Sequence, residues 1–237
     1  MPLRLRSDAG EGTKVDEGAE QAGLFVRRVF ACPPDVAEEM VRRSRLRRYP
    51  VHAAIVRQGD RTTLSWLVIV GRAHALLYSA DGQMVLLQEY RAGDLFGALA
   101  DFDPAREEAD VVAVEPVSAL TLEGAELAML AQRHGCIGLA LTRMLLRRLR
   151  QTTSRMYERA ALTSAGRVYA ELLRQARESP DMIVRPVPVI AELALRVATT
   201  RETASRAVNA LERRGIIRRE AHELRVIAPH RLEALIL

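Results

Sequence analysis

Arg201, Glu202, Ser205 and Arg206 carry side chains able to read DNA base edges, and their spacing gathers them on one side of a helix. An arginine grips the O6/N7 edge of guanine, a glutamate accepts from cytosine N4, and a serine bonds a base edge or packs its methylene on the thymine methyl. Thr200 stands just before them, placed to cap the free backbone N–H groups of the helix start. The reading residues therefore fall in the first two turns, where a recognition helix meets the major groove.

Two short amphipathic helices joined by a tight turn must position this face. The first is expected to bury Ile190, Leu193, Ala194 and Val197; after a turn at Ala198 and Thr199, the second buries Ala204, Val208 and Leu211. Gly215 is placed to end it in a left-handed cap. Strand-like runs at Ile216–Arg219 and Leu224–Ile227 surround the polar turn 220–223 and read as a wing. Arg213, Arg214, Arg218, Arg219 and Arg225 border the second helix and are candidates to neutralise phosphates without reading sequence. A solvated helix face laced with charge pairs is the plainer alternative; the glycine cap and the wing weigh against it.

The whole chain permits this reading. Its 237 residues suffice for one large or two modest domains, and a hydrophobic content of 49% is enough for a packed core. The net charge of +5 favours a polyanionic partner, and Lys14 is the single lysine, so the positive charge is arginine almost throughout. Cys32 and Cys136 are too few and too far apart in sequence for a disulfide framework or paired zinc thiolates. Neither metal nor cofactor is expected, and a reduced cytoplasm fits. No run approaches the roughly 20 apolar residues that span a bilayer, so no membrane partner is expected. Walker, HExxH and GxSxG motifs are missing, so an enzyme is not expected and no residue is assigned to catalysis.

Between Leu46 and Leu122 the pattern turns to short β-type runs: 53–57, 64–70, 73–78, 85–90, 110–114 and 119–122. Asp81-Gly82 is a hairpin signal, and the regular turn spacing argues for an antiparallel roll or jelly roll. The glycines at 59, 71, 82, 93 and 97, in the phrases Gln58-Gly59-Asp60, Val70-Gly71-Arg72 and Gly93-Asp94-Leu95-Phe96-Gly97, resemble the cyclic-nucleotide-binding β-roll of the CRP/FNR family of bacterial transcription regulators. The likeness extends over residues 24–237 and includes the winged helix and Arg201-Glu202-Thr203-x-Ser205-Arg206.

Residues 1–23 are rich in Gly, Asp, Glu and Ala with little to bury, and read as a mobile N-terminal tail. The resemblance implies an α+β architecture beyond it: a β-roll sensor domain at 24–134, a dimerisation helix at 135–160, and a winged helix-turn-helix domain at 161–237. Ile137, Leu141, Leu145, Leu149 and Met156 form an apolar stripe expected at the seam of a parallel homodimer; a core helix within a monomer is the alternative. The arginines from Arg143 to Arg177 either extend an electrostatic track for DNA or line a solvated face. Double-stranded DNA is the expected partner, RNA polymerase a further one implied by the resemblance. Both TGTGA-like and TTGAT-like half-site readers share features with this helix.

In family members that bind cyclic AMP, a glutamate takes the ribose hydroxyl and an Arg-Ser pair the cyclic phosphate. The corresponding segment here reads Gly97-Ala98-Leu99, with Ala98 at the ribose position, and Glu107 and Glu108 stand at the phosphate position. Arg106 is the one nearby cation able to replace the missing arginine, and Thr152 and Thr153 lie where relatives offer hydroxyls to the base. Two carboxylates repel a phosphate, so cyclic AMP is not the expected effector; the effector is left open. Two cysteines cannot supply the four thiolates of an iron–sulfur cluster, and His52, His74 and His134 read as structural rather than as haem ligands. A nucleotide-responsive module whose winged helix docks on protein is the alternative to a DNA-binding regulator.

Overall fold

The computed structural model describes residues 11–78, 84–98 and 106–236, with side chains from Glu20 onward. The Asp81-Gly82 turn and Leu99 lie outside the described residues. Two compact units are present, one built around a β-roll and one around a winged helix, the division within the long helix falling between Arg147 and Arg148.

The roll consists of two four-stranded antiparallel sheets. One has the order β1 (Arg45–Tyr49), β8 (Val117–Glu123), β3 (Leu64–Val70), β6 (Leu95–Gly97); the other runs β2 (Ala54–Val56), β7 (Asp110–Ala113), β4 (Ala73–Tyr78), β5 (Met84–Tyr90). Val56, Trp66, Val68, Ala75, Phe96 and Val111 fill the space between the sheets. Leu67, Leu120 and Leu122 project from the other face of the first sheet into a helical layer. A strand with both faces covered reads as a near-continuous apolar run rather than an alternating one, and β3 is Leu-Ser-Trp-Leu-Val-Ile-Val, interrupted by Ser65 alone. Gly71 has φ +89°, and any side chain there would run into the Pro116 carbonyl, so this turn requires glycine.

The helical layer contains α1 (Glu11–Phe30), α2 (Pro34–Arg43), α3 (Gly124–Arg133) and the start of α4 (Gly135–Ala161). Pro34 opens α2, where its missing N–H is harmless, and Arg42 and Arg43 close it against the negative end of the helix dipole. For residues 11–23 the expected tail is corrected: the chain is helical from Glu11, and Ala22, Val26 and Phe30 form one buried face four residues apart; residues 1–10 lie outside the described residues. The small alanine and the acidic stretch before it hide this face from a compositional reading. β1 was also not expected, because its Arg-Leu-Arg-Arg-Tyr edge is exposed over its first four residues and carries no apolar alternation.

Helix α4 keeps the length expected of it, but its stripe serves two purposes. Ile137 and Leu141, expected at a dimer seam, are only 0% and 7% exposed and pack in the protomer's own core with Val26, Met40 and Leu130. An apolar stripe shows that a helix buries a face, not against what, and the first two turns of α4 are covered by this chain. Leu145, Leu149 and Met156 remain exposed.

The second unit holds α5 (Ser164–Ala176), α6 (Ile190–Arg196), α7 (Arg201–Arg213), α8 (Pro229–Glu233) and a small sheet in the order β10 (Ile217–Arg219), β11 (Leu224–Val226), β9 (Ile183–Val184). Thr163 caps α5, its hydroxyl oxygen accepting from Gly166 N at 3.0 Å. Val168, Leu172, Leu193, Val208, Leu211 and Ile216 make one core, each such side chain stabilising the fold by about 1.5–3 kcal/mol on burial.

Candidate nucleic-acid interface

Helix α7 is presented by constraints at both ends. At its start the Thr200 hydroxyl oxygen accepts from Thr203 N at 3.2 Å, satisfying one of the free donors of the first turn. At its end Gly215 adopts φ +64°. Ala204, Ala207, Val208 and Leu211 bury one side, which leaves Arg201, Glu202 and Arg206 exposed and Ser205 half-buried on the other.

The preceding turn is clamped from α5. Ala198 has φ +50°, a left-handed conformation uncommon outside glycine. Arg167 donates from Nε to the Val197 carbonyl at 2.8 Å, and from Nη2 to the Ala198 carbonyl at 3.1 Å. This arginine braces the turn rather than extending an electrostatic track. Arg174 and Arg177 are likewise engaged, by Glu158 and Glu171 and by Glu233.

The face has mixed charge with defined protonation. Glu202 is held below the ordinary carboxylate range by its own backbone N–H, then by the Thr200 hydroxyl and by Arg201 and Arg206. It is therefore an ionised acceptor at neutral pH. Arg206 makes only a long contact, Nη2 to Thr203 Oγ1 at 3.4 Å. Among the described residues no carboxylate comes within 4.0 Å of the guanidinium of Arg201, Arg206, Arg213 or Arg218, so Glu202 acts on the first two from a longer range.

The wing separates two arginines that look alike in sequence. Arg218 is exposed and faces Arg225 across the β10–β11 ladder. Arg219 instead donates from Nε to Glu212 Oε2 at 3.0 Å and from Nη2 to Asn209 Oδ1 at 2.8 Å, tying the wing to α7. Asn209 lies on the same side of α7 as Ser205 and Arg206 and was passed over in the sequence, where no charge or motif marks it. Arg225 pairs with Glu223, which also binds Arg185.

The expected effector segment is only partly assembled. Gly97 has φ +92° and abuts Leu64 and Trp66; the Ala98 carbonyl accepts from the Ser65 hydroxyl. Arg106 is exposed, its Nη1 donating to the Gly59 carbonyl at 3.2 Å, so its guanidinium is engaged at the surface. Glu107 is half-buried and exchanges backbone hydrogen bonds with the Gly59–Asp60 turn. Burial, then Asp60 and Glu108, push its carboxyl above the ordinary range. Glu108, Thr152 and Thr153 are exposed.

The roll interior is aromatic where described: Trp66 stacks on Phe96 with centroids 5.3 Å apart, and Tyr90 meets Phe96 at 4.6 Å. No arginine is buried among the described residues. His74 pairs with Glu89 and His134 with Glu39, each at 3.0 Å, so both imidazoles have carboxylate partners. No helix among the described residues is long and apolar enough to cross a membrane.

Comparison with known proteins follows this division of the chain. The family model for a cyclic nucleotide-binding domain matches residues 46–134, and that for a Crp-like helix-turn-helix domain matches residues 166–235. The chain is 30% identical over 174 residues to a cyclic AMP receptor protein of Thermus thermophilus, covering 73% of this chain and 79% of the relative. It is 25% identical over 223 residues to a CRP-like cAMP-activated global transcriptional regulator of Mycobacterium tuberculosis, covering 92% and 98%. A solved structure of a CooA variant from Carboxydothermus hydrogenoformans shares the fold with a TM-score of 0.73 at 19% identity, over 83% of this chain and 89% of the other.

Proposed function

The chain belongs to the CRP/FNR family of DNA-binding transcription regulators, and on that premise we propose that it acts in the cytoplasm as a homodimer on a palindromic operator, without requiring cyclic AMP. The observation that carries the DNA contact is the capped helix α7, with Arg201, Glu202 and Arg206 exposed opposite a fully apolar buried side. Arg201, Glu202, Ser205 and Arg206 read base edges, Thr200 fixes the helix start, and Arg218 contacts phosphate. Arg219 acts through the wing, being held by Glu212.

The exposed stripe of α4 supports the dimer. Leu139, Thr142, Leu146, Leu149, Thr153 and Met156 succeed one another alternately three and four residues apart, the seam of a two-stranded coiled coil. Leu145 borders it. A two-fold dimer along this seam suits an operator of two half-sites about one turn of DNA apart. RNA polymerase is the further partner that the family resemblance suggests.

Independence from cyclic AMP is supported by Ala98 at the ribose position and by the negative surroundings of Glu107, whose carboxyl is already disfavoured as an anion. A cyclic phosphate would add another negative charge there. Selecting bound duplexes from a random pool, with and without candidate small molecules, tests the whole reading. A two-fold symmetric consensus is expected without cyclic AMP; recovery of no sequence preference would refute it.

A further inference from the structure

Asn209 sits one turn beyond Ser205 and Arg206 on α7, four and three residues on, and is half-buried beside the wing. Its amide orientation is set by chemistry. A guanidinium has five donors and no acceptor, so the Asn209 atom that meets Arg219 Nη2 at 2.8 Å has to be the oxygen. Arg219 is itself fixed by Glu212, which accepts from Nε at 3.0 Å, from the Arg219 backbone N at 3.4 Å, and again from Nη2. No acceptor among the described residues meets Asn209 Nδ2.

We propose that Asn209 contacts DNA as a donor, its oxygen turned to the Arg219 guanidinium that Glu212 holds, so that Nδ2 meets acceptor atoms of the duplex. The inference rests on the reading of α7 as the recognition helix. An asparagine that selects adenine uses both halves of its amide, accepting from N6 and donating to N7. Arg219 takes one of the two lone pairs of that oxygen and fixes the amide toward the wing, which works against the bidentate alignment with adenine. The targets of Asn209 are phosphate oxygens, or the acceptor edges of guanine and thymine. Being neutral, it displaces no counterion, so its contribution carries no salt dependence of its own. Arg219 and Glu212 are positioning residues in this arrangement.

The test measures binding of the full-length protein to duplexes selected by the wild type, at several salt concentrations. Asn209→Ala is expected to weaken binding about three- to tenfold, the scale of one hydrogen bond, with the salt slope unchanged. An even loss across sequences identifies a phosphate; loss of a guanine or thymine preference at one position per half-site identifies a base edge. Asn209→Asp keeps the Arg219 contact but turns the donor into an acceptor, and should bind more weakly than the alanine variant. Glu212→Gln combined with Asn209→Ala should show losses that do not add; additive losses would remove Arg219 from the account. An adenine preference that disappears in Asn209→Ala, or wild-type affinity in that variant, would overturn the inference while leaving the recognition helix intact. If the wild type selects no duplex, both readings fall together.

Discussion

The Arg167 side chain reaches 30 residues along the chain to donate from Nε to the Val197 carbonyl at 2.8 Å. The same guanidinium donates from Nη1 to the Leu162 carbonyl at 3.1 Å and from Nη2 to the Ala198 carbonyl at 3.1 Å and Ser164 Oγ at 3.3 Å. Three carbonyls that no helix ladder could satisfy thereby find one planar donor. The angle between α6 and α7 depends on a residue outside both.

Arg167→Ala should therefore destabilise the winged helix by about 2–3 kcal/mol, since hydrogen bonds from a charged donor to otherwise unpaired carbonyls are lost together. Arg167→Lys should recover only part, because an ammonium cannot span the three carbonyls. Hydrogen exchange at the amides of α6 and α7 reads the change. Undiminished protection in the alanine variant would mean that apolar packing alone holds the turn.

Arg206→Ala and Arg218→Ala should fail in different ways. Arg206 lies on the exposed side of α7 with only a long contact to Thr203, and its loss should remove about 1–3 kcal/mol of specific binding and relax selection of a guanine in each half-site. Arg218 is an exposed wing cation, and its loss should weaken binding alike for all sequences and make the salt slope shallower by about one unit. Titrations against matched and mismatched duplexes over a range of salt distinguish the two. An identical, sequence-independent loss from both would remove the base-reading role from Arg206.

Leu149→Glu should give monomers with much weaker operator binding. Leu149 is 63% exposed in the single chain and lies centrally in the stripe from Leu139 to Met156, so a carboxylate there is harmless to the protomer fold. In an apolar seam it must lose its hydration without a partner, which costs several kcal/mol or separates the chains. Ile137→Glu serves as the contrast, because Ile137 belongs to the protomer core and its variant should unfold rather than dissociate. Intact dimers of Leu149→Glu in sedimentation would place the interface elsewhere.

Glu39 provides a pH signature in the sensor unit. Its carboxyl is held below the ordinary range first by the hydrogen bond to His134, then by Arg133 and Arg43. A carboxylate depressed in the folded state contributes stability above its unfolded pKa, and that contribution disappears as pH falls through the folded value. Glu39→Gln should therefore be less stable than the wild type near neutrality, with the gap closing in acid below the ordinary carboxylate range. Unfolding followed by Trp66, the single tryptophan, reports this unit. A gap that stays constant with pH would show that the charge of Glu39 does not matter.

The contrast between α7 and α1 shows what was legible in the sequence. Thr200, Gly215 and a four-residue apolar rhythm act within one or two turns, so the limits of α7 could be read locally. The strands β3 and β4 were legible for the same reason, as apolar runs bounded by glycine. What escaped depends on distant partners. Nothing local distinguishes Ile137, which goes into the protomer core, from Leu149, which stays outside, because the difference lies in α1 and α2. Arg218 and Arg219 are neighbours of one type, separated only by Glu212 on another element. The break between α3 and α4 also depends on a distant partner: it falls at His134, whose imidazole is anchored by Glu39 from α2.

Cyclic AMP at saturation should change operator affinity less than about fivefold, equivalent to about 1 kcal/mol of coupling. A ligand shifts an equilibrium only by its different affinity for the two states, and the described residues offer the nucleotide little to bind. On the alignment proposed above, Ala98 supplies a methyl where a ribose hydroxyl needs an acceptor. Arg106 is engaged at the surface by the Gly59 carbonyl, and Glu107, Glu108 and Asp60 set a negative potential beside it. Between the sheets, Trp66, Phe96 and Tyr90 occupy apolar ground with no buried arginine described near them. Calorimetry and DNA titration with the full-length protein check this together. Micromolar binding of cyclic AMP with a large gain in DNA affinity would overturn it, and Arg106→Ala would then show whether that guanidinium leaves Gly59 to meet the phosphate.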